Sequence, residues 1–208
     1  MERWIGEKSG FIFDVDGTLY SQPRMRGMMF VKLFSHYAIR PWKWKELYAI
    51  WFFRKCREKA QYRSFSMKRL YATVARQAGM CAEDVESVIH RWMFEVPLDV
   101  LRCCSFPNVI SFIRRMYAEG KKIVIYSDYP AMEKLSVLDV PFHFLFVSGE
   151  SGLPALKPCA QAMRYIVDKT GLSPQTLLYI GDREEKDGRS ARLIPIDYLD
   201  VREFQKRI

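Results

Sequence analysis

Gly10-Phe-Ile-Phe-Asp14-Val-Asp16-Gly-Thr18-Leu19 is the stretch on which the fold turns. A compact apolar run that ends on an acid and passes at once into the turn residues Asp16-Gly17 predicts a short buried strand with an acidic C-terminal end. Outward from it the texture changes twice. Over residues 25–95 apolar side chains recur at helical spacing, as in Leu47, Ile50, Trp51 and in Leu70, Val74, so this part reads as all-helical. Gly79 would end one of these helices. Ala82-Glu83-Asp84 would start the next, with acids in the first turn where the helix dipole favours them.

After Pro107, Val109, Ile110, Ile113, Met116 and Tyr117 form one apolar helical face, and Gly120 supplies the stop. Strands are then predicted at 122–126, 142–147, 176–180 and 194–199, with helices at 131–137 and 158–170 between them. Strands alternating with helices imply a mainly parallel α/β sheet covered on both faces. The nearly uninterrupted runs Ile123-Val-Ile and Leu177-Leu-Tyr-Ile suit strands buried on both sides.

Composition bounds what such a chain can be. Its 208 residues, 49% apolar and 14% aromatic, are enough for a buried core and argue against disorder. The most apolar stretch, 28–53, is broken by Lys32, Arg40, Lys43, Lys45 and Glu46, so no membrane span is expected. Residues 1–10 contain Glu2 and Glu7 and no apolar core of a signal peptide, which makes a cytoplasmic protein the expectation. The five cysteines include no C-x-x-C pair, so reduced thiols and no zinc site are expected. Net charge is +9, and residues 21–100 carry most of it, with 15 basic against 7 acidic residues. His36, His90 and His143 show no metal-ligand spacing.

Ligands of open α/β sheets sit beyond the carboxyl ends of the strands. There the sequence places Asp14-Val-Asp16-Gly-Thr18, then Ser127-Asp128, then Lys157-Pro158 behind Gly152-Leu-Pro-Ala-Leu, then Gly181-Asp182 with Asp187. Each has a task on a phosphate monoester. The Asp14 carboxylate can attack phosphorus to form an aspartyl-phosphate. A Mg²⁺ ion held by protein oxygens would offset the meeting of two anions, with Asp182 as a second carboxylate ligand. Lys157 adds a fixed positive charge, and Ser127 can donate a hydrogen bond to a phosphoryl oxygen. Gly17 lets the backbone pass close to the phosphate, with Thr18 behind it. Asp16 can protonate the leaving oxygen and later take a proton from water, provided burial raises its pKa.

These four motifs, in this order, resemble those of the haloacid dehalogenase superfamily of phosphohydrolases. The resemblance implies a Rossmann-like three-layer core at 1–20 and 101–208 and a helical cap at 21–100. It implies Mg²⁺ bound by the Asp14 carboxylate, the Asp16 backbone carbonyl and the Asp182 carboxylate, with Asp187 as a direct or outer ligand. The chain departs from the family pattern in two places. Asp128 stands where Asn is common, an extra carboxylate beside the phosphate, and Ala191 leads into Arg192-Leu-Ile-Pro195 rather than Gly, which predicts an altered helix end.

The expected activity is therefore Mg²⁺-dependent hydrolysis of a small phosphorylated metabolite, with nucleic acid not the expected partner and the oligomeric state open. A dehalogenase would lack the second aspartate. A phosphonatase would need a cap lysine that nothing singles out among Lys32, Lys43 and Lys45. A sugar-phosphate mutase shares all four motifs, and a phosphatase-like binding module with a basic cap is the rival of another class. The segment around Trp42, Trp44, Trp51, Phe52, Arg54, Lys55, Arg57 and Lys59 reads first as a cap helix with aromatics buried and cations in water. Its other readings are a cleft wall for a second negative charge or flat ring, and a contact for nucleic acid or an anionic membrane surface.

Overall fold

A computed structural model describes residues 3–59, 67–149, 153 and 156–208. Residues 1–2, 60–66, 150–152 and 154–155, among them part of the predicted cap and of the stretch before Lys157, lie outside the described residues. The chain divides into two compact units, Met1–Gln22 with Cys104–Ile208, and Pro23–Cys103.

The larger unit is built on five parallel strands: β1 (Gly10–Phe13), β2 (Lys122–Ser127), β3 (Phe144–Val147), β4 (Leu177–Gly181) and β5 (Asp197–Asp200), in the order β3-β2-β1-β4-β5. All four residues of β1 are buried, as its unbroken apolar run requires for the central strand. Because successive side chains point to opposite faces, β1 feeds two separate packing layers. Phe11 and Phe13 meet Phe112 and Phe204, from helices Pro107–Ala118 and Val201–Arg207, at ring distances of 5.2 and 6.1 Å. Ile12 turns the other way into a cluster with Met163 and Ile166 of helix Ala160–Thr170 and Ala191. The result is the expected α/β/α sandwich.

The strands differ from expectation at their ends. β3 starts two residues later than predicted, because His143 still spends its ring and backbone N–H on residue 123. The last strand is Asp197–Asp200, with Ile194 in the preceding turn. Ala160 rather than Pro158 opens its helix, and the segment after Gly181 is a π-helical turn, Glu184–Gly188, running into the four-residue helix Arg189–Arg192.

The smaller unit is helical among its described residues: Gln22–Ala38, which begins one residue before it, Trp44–Lys59, Met67–Ala78, Ala82–His90, a π turn Arg91–Glu95, and Val96–Cys104, which runs one residue past it. Gly79 takes φ +61° to stop the third of these. Its core gathers Ile50, Phe53, Leu70, Val74, Val85 and Ile89. The expected burial of the aromatics holds only for part of them. Phe52 is half-buried against the core, but Trp42, Trp44 and Trp51 are exposed, because helix Trp44–Lys59 spends its inward face on Ala49, Ile50 and Phe53. Arg57, expected in water, is buried. No helix of the described residues is long and apolar enough to cross a membrane.

Candidate active site

The register decides what meets what. Phe13 pairs with Ile125 on one side and Ile180 on the other, so β1, β2 and β4 release their chains at one level. Asp14, Ser127 and Asp182 emerge together at the carboxyl edge, at the switch point where neighbouring strands lead to opposite sides of β1. The Asp14 N–H still bonds the Ile180 carbonyl at 3.0 Å.

One carboxylate oxygen from each of Asp14, Asp182 and Asp187 lies within 4.8 Å of the others. Lys157 is buried between two of them, its Nζ 2.6 Å from Asp14 Oδ1 and 2.9 Å from Asp187 Oδ1. Burial alone would depress the Lys157 ammonium, but Asp14 and Asp187 outweigh it and hold it well above the usual lysine range. Lys157 does not neutralise the whole cluster. Burial, then the charges of Asp187 and Asp16 acting against Lys157, push the Asp14 carboxyl up to about 8, and burial with Asp187 pushes Asp182 up to about 6.

These acids therefore lack positive charge. Asp182 Oδ1 is buried with no hydrogen-bond partner among the described residues, an expensive state for a carboxylate oxygen unless a cation meets it. Hard oxygen donors, an orphaned carboxylate atom and surplus negative charge fit a Mg²⁺-type ion. Asp187 is already engaged on both oxygens: Oδ1 accepts from Lys157 and from the Tyr179 hydroxyl at 2.8 Å, and Oδ2 from the Arg183 N–H at 3.2 Å. That pattern suits an outer anchor better than a direct ligand.

Two glycines let the loops close on this cluster. Gly17 has φ +103°, and a Cβ there would fall 2.1 Å from Asp182 Oδ2. A Cβ on Gly181 would come within 2.5 Å of the Asp187 side chain. Thr18 is fully buried with Oγ1 3.5 Å from Asp14 Oδ2, and Ser127, also buried, accepts the Tyr129 N–H at 3.1 Å. Both stand behind the cleft that Asp14, Asp16, Asp128, Lys157, Asp182 and Asp187 line.

Asp16 departs from expectation. Burial would raise its carboxyl, but the Lys134 charge and hydrogen bonds from Lys134 and Tyr20 more than offset this, and its pKa is lowered. Its backbone carbonyl accepts from Gln22 Nε2 at 2.6 Å. Asp128 also finds compensation. Its Oδ1 accepts from Ser148 Oγ at 2.9 Å and from the Lys157 N–H at 3.0 Å, and its Oδ2 pairs with Lys186 at 3.1 Å. The extra carboxylate is thus tied to three other segments of the chain.

Lys134, Tyr20, Gln22 and Lys186 are residues that sequence reasoning passed over. The only available signal for Lys134 was a lysine in the first turn of the helix after β2, and for Lys186 an extra base in the acidic loop that balances the extra acid at 128.

A parallel sheet with a carboxylate cluster and a buried lysine at its switch point is a site of the Rossmann-like α/β class. The family model for haloacid dehalogenase-like hydrolases matches residues 11–201, and the chain belongs to that family. No curated protein sequence matches it. Among solved structures it is similar to the HAD-hydrolase YfnB from Bacillus subtilis, bound to magnesium, at 16% identity and TM-score 0.63 over 92% of this chain and 87% of that one. It is similar to the 2-haloacid dehalogenase of Pseudomonas syringae pv. Tomato at 16% and 0.65, covering 92% and 85%. A predicted phosphoglycolate phosphatase from Haemophilus somnus aligns at 19% and 0.54, covering 92% and 84%. At these identities the likeness is one of fold.

Proposed function

We propose that the protein is a Mg²⁺-dependent phosphomonoester hydrolase that works through an aspartyl-phosphate on Asp14. The observation that carries this is the approach of the Asp14, Asp182 and Asp187 carboxylates to within 4.8 Å with the Lys157 ammonium between two of them. The magnesium reported for the YfnB structure supports the choice of ion. Asp14, the Asp16 backbone carbonyl and Asp182 are the groups that would hold Mg²⁺, which when bound supplies positive charge for the anionic nucleophile and the phosphate.

The chain's own groups do the rest. Lys157 anchors Asp14 Oδ1, and the second carboxylate oxygen, which takes only a long 3.5 Å contact from Thr18 Oγ1, is the one to attack phosphorus. Asp16 is held ionised by Lys134 and Tyr20, so in the first half the leaving oxygen takes its proton from water. In the second half Asp16 takes a proton from the water that hydrolyses the aspartyl-phosphate. The helical unit Pro23–Cys103 serves as the cap that excludes bulk water.

The retained Asp16 pair argues against a dehalogenase. In a Mg²⁺-dependent phosphate-release assay on an aryl phosphate, Asp14→Asn should abolish turnover while the thermal melt stays cooperative. Wild-type turnover in that variant, or no release from any of a broad panel of phosphate esters by the parent protein, would overturn the reading. An isomerised sugar phosphate in place of free phosphate would instead identify a mutase.

A further inference from the structure

Residues 23–57, outside the catalytic cluster, hold nine Lys and Arg against one acid, Glu46, giving +8 in a single helix–turn–helix. Glu46 is itself paired with Lys43 at 2.7 Å. Six of the segment's large apolar side chains stand in water. Phe30, Phe34, Ile39, Trp42, Trp44 and Trp51 are between 53% and 71% exposed.

The placement is ordered. Phe30 and Phe34 are one turn apart on helix Gln22–Ala38 with rings 6.4 Å between centroids, and Trp42 sits in the connecting 3₁₀ turn Pro41–Lys43. Trp44 and Trp51 are two turns apart on the next helix and share a face, where Lys55 Nζ lies 4.8 Å over the Trp51 ring. Apolar surface on this scale marks an interaction site in a soluble chain.

Three occupants can be weighed. A second copy would set one strongly basic surface against another. Nucleic acid would use the cations and stack on rings, but Ile39 and the exposed Val31 have no ring for a base to stack on. Aromatics at the headgroup level, aliphatic side chains below them and cations facing acidic headgroups are all satisfied together at an anionic lipid surface. We propose that this helix–turn–helix docks on an anionic bilayer, lying on it and not spanning it. The proposal is independent of the phosphohydrolase reading.

The test uses the full chain with phosphatidylcholine vesicles, alone or with about 30% phosphatidylglycerol, read by co-sedimentation and tryptophan emission. Binding to the mixed vesicles only, a blue-shifted emission, and weakening by added salt are expected. Phe30→Ser/Phe34→Ser and, separately, Trp42→Ser/Trp44→Ser should each weaken binding by about tenfold or more with the melting temperature unchanged, because these side chains are already exposed. No binding to the mixed vesicles would overturn the proposal, as would binding that neither double variant weakens. So would tighter retention on a single-stranded oligonucleotide than on vesicles, or a dimer in sedimentation that Phe30→Ser/Phe34→Ser dissociates.

Discussion

Replacing Lys157 by methionine isolates the electrostatics of the site. The methionine fills similar volume, so the change is chiefly the loss of a cation whose side chain is 1% exposed and which touches Asp14 at 2.6 Å and Asp187 at 2.9 Å. Removing one member of a buried ion pair costs about 3–5 kcal/mol because the partner charge is left uncompensated. In a chain of this size that is a fall of about 6–20 °C in melting temperature. The sign with pH follows from the carboxylates. Without Lys157 the Asp14 carboxyl, already pushed up to about 8, rises further above its unfolded value, so the penalty is small below about pH 4 and grows as pH increases toward the folded value. Thermal melts in chelator at pH 5 and pH 8 should show a much larger deficit at pH 8, and Mg²⁺ should recover more of it in the variant than in the parent. A Lys157→Met protein that melts within about 2 °C of the parent at pH 8 without metal would refute the premise that this lysine balances buried negative charge.

Two further outcomes follow from the same site. With Asp14 pushed up to about 8 and Asp182 to about 6, the doubly ionised form that Mg²⁺ needs is about one molecule in 200 at pH 6 and about one in two at pH 8. Mg²⁺ affinity measured by titration calorimetry should therefore rise about a hundredfold over that interval with proton release, and a flat profile would contradict the crowding of these acids. For the Asp128 and Lys186 pair, Lys186→Met should weaken competitive inhibition by inorganic phosphate, and Asp128→Asn/Lys186→Met should restore it, with a coupling on the order of 1 kcal/mol, about fivefold in inhibition constant. Additive effects in that cycle would show that Lys186 does not neutralise the extra carboxylate.

Legibility was uneven, for identifiable reasons. The run Gly10–Phe13 and the acids behind it were readable because a buried parallel strand needs an unbroken apolar run and its ligand end needs polar residues, both of which are local properties. The strand limits at 142–147 and 194–199 were overdrawn because apolar residues such as Phe142 and Ile194 flank the strands without entering the ladder. Trp42, Trp44 and Trp51 were expected inside because helical periodicity does not say which of two apolar faces the neighbouring helices will claim.

Strand periodicity and turn chemistry act over a few residues, so the parallel α/β class, the order of the four motifs and the acids at the strand ends were legible in the amino-acid order alone. It took the folded chain to show that Asp16 is held ionised by Lys134 and Tyr20, that Asp128 is balanced by Lys186, and that Asp182 keeps an oxygen without a partner among the described residues. Those outcomes depend on charges 58 to 118 residues apart in the chain meeting in a space with little water, where distance and burial set the energy and sequence spacing carries no information about either.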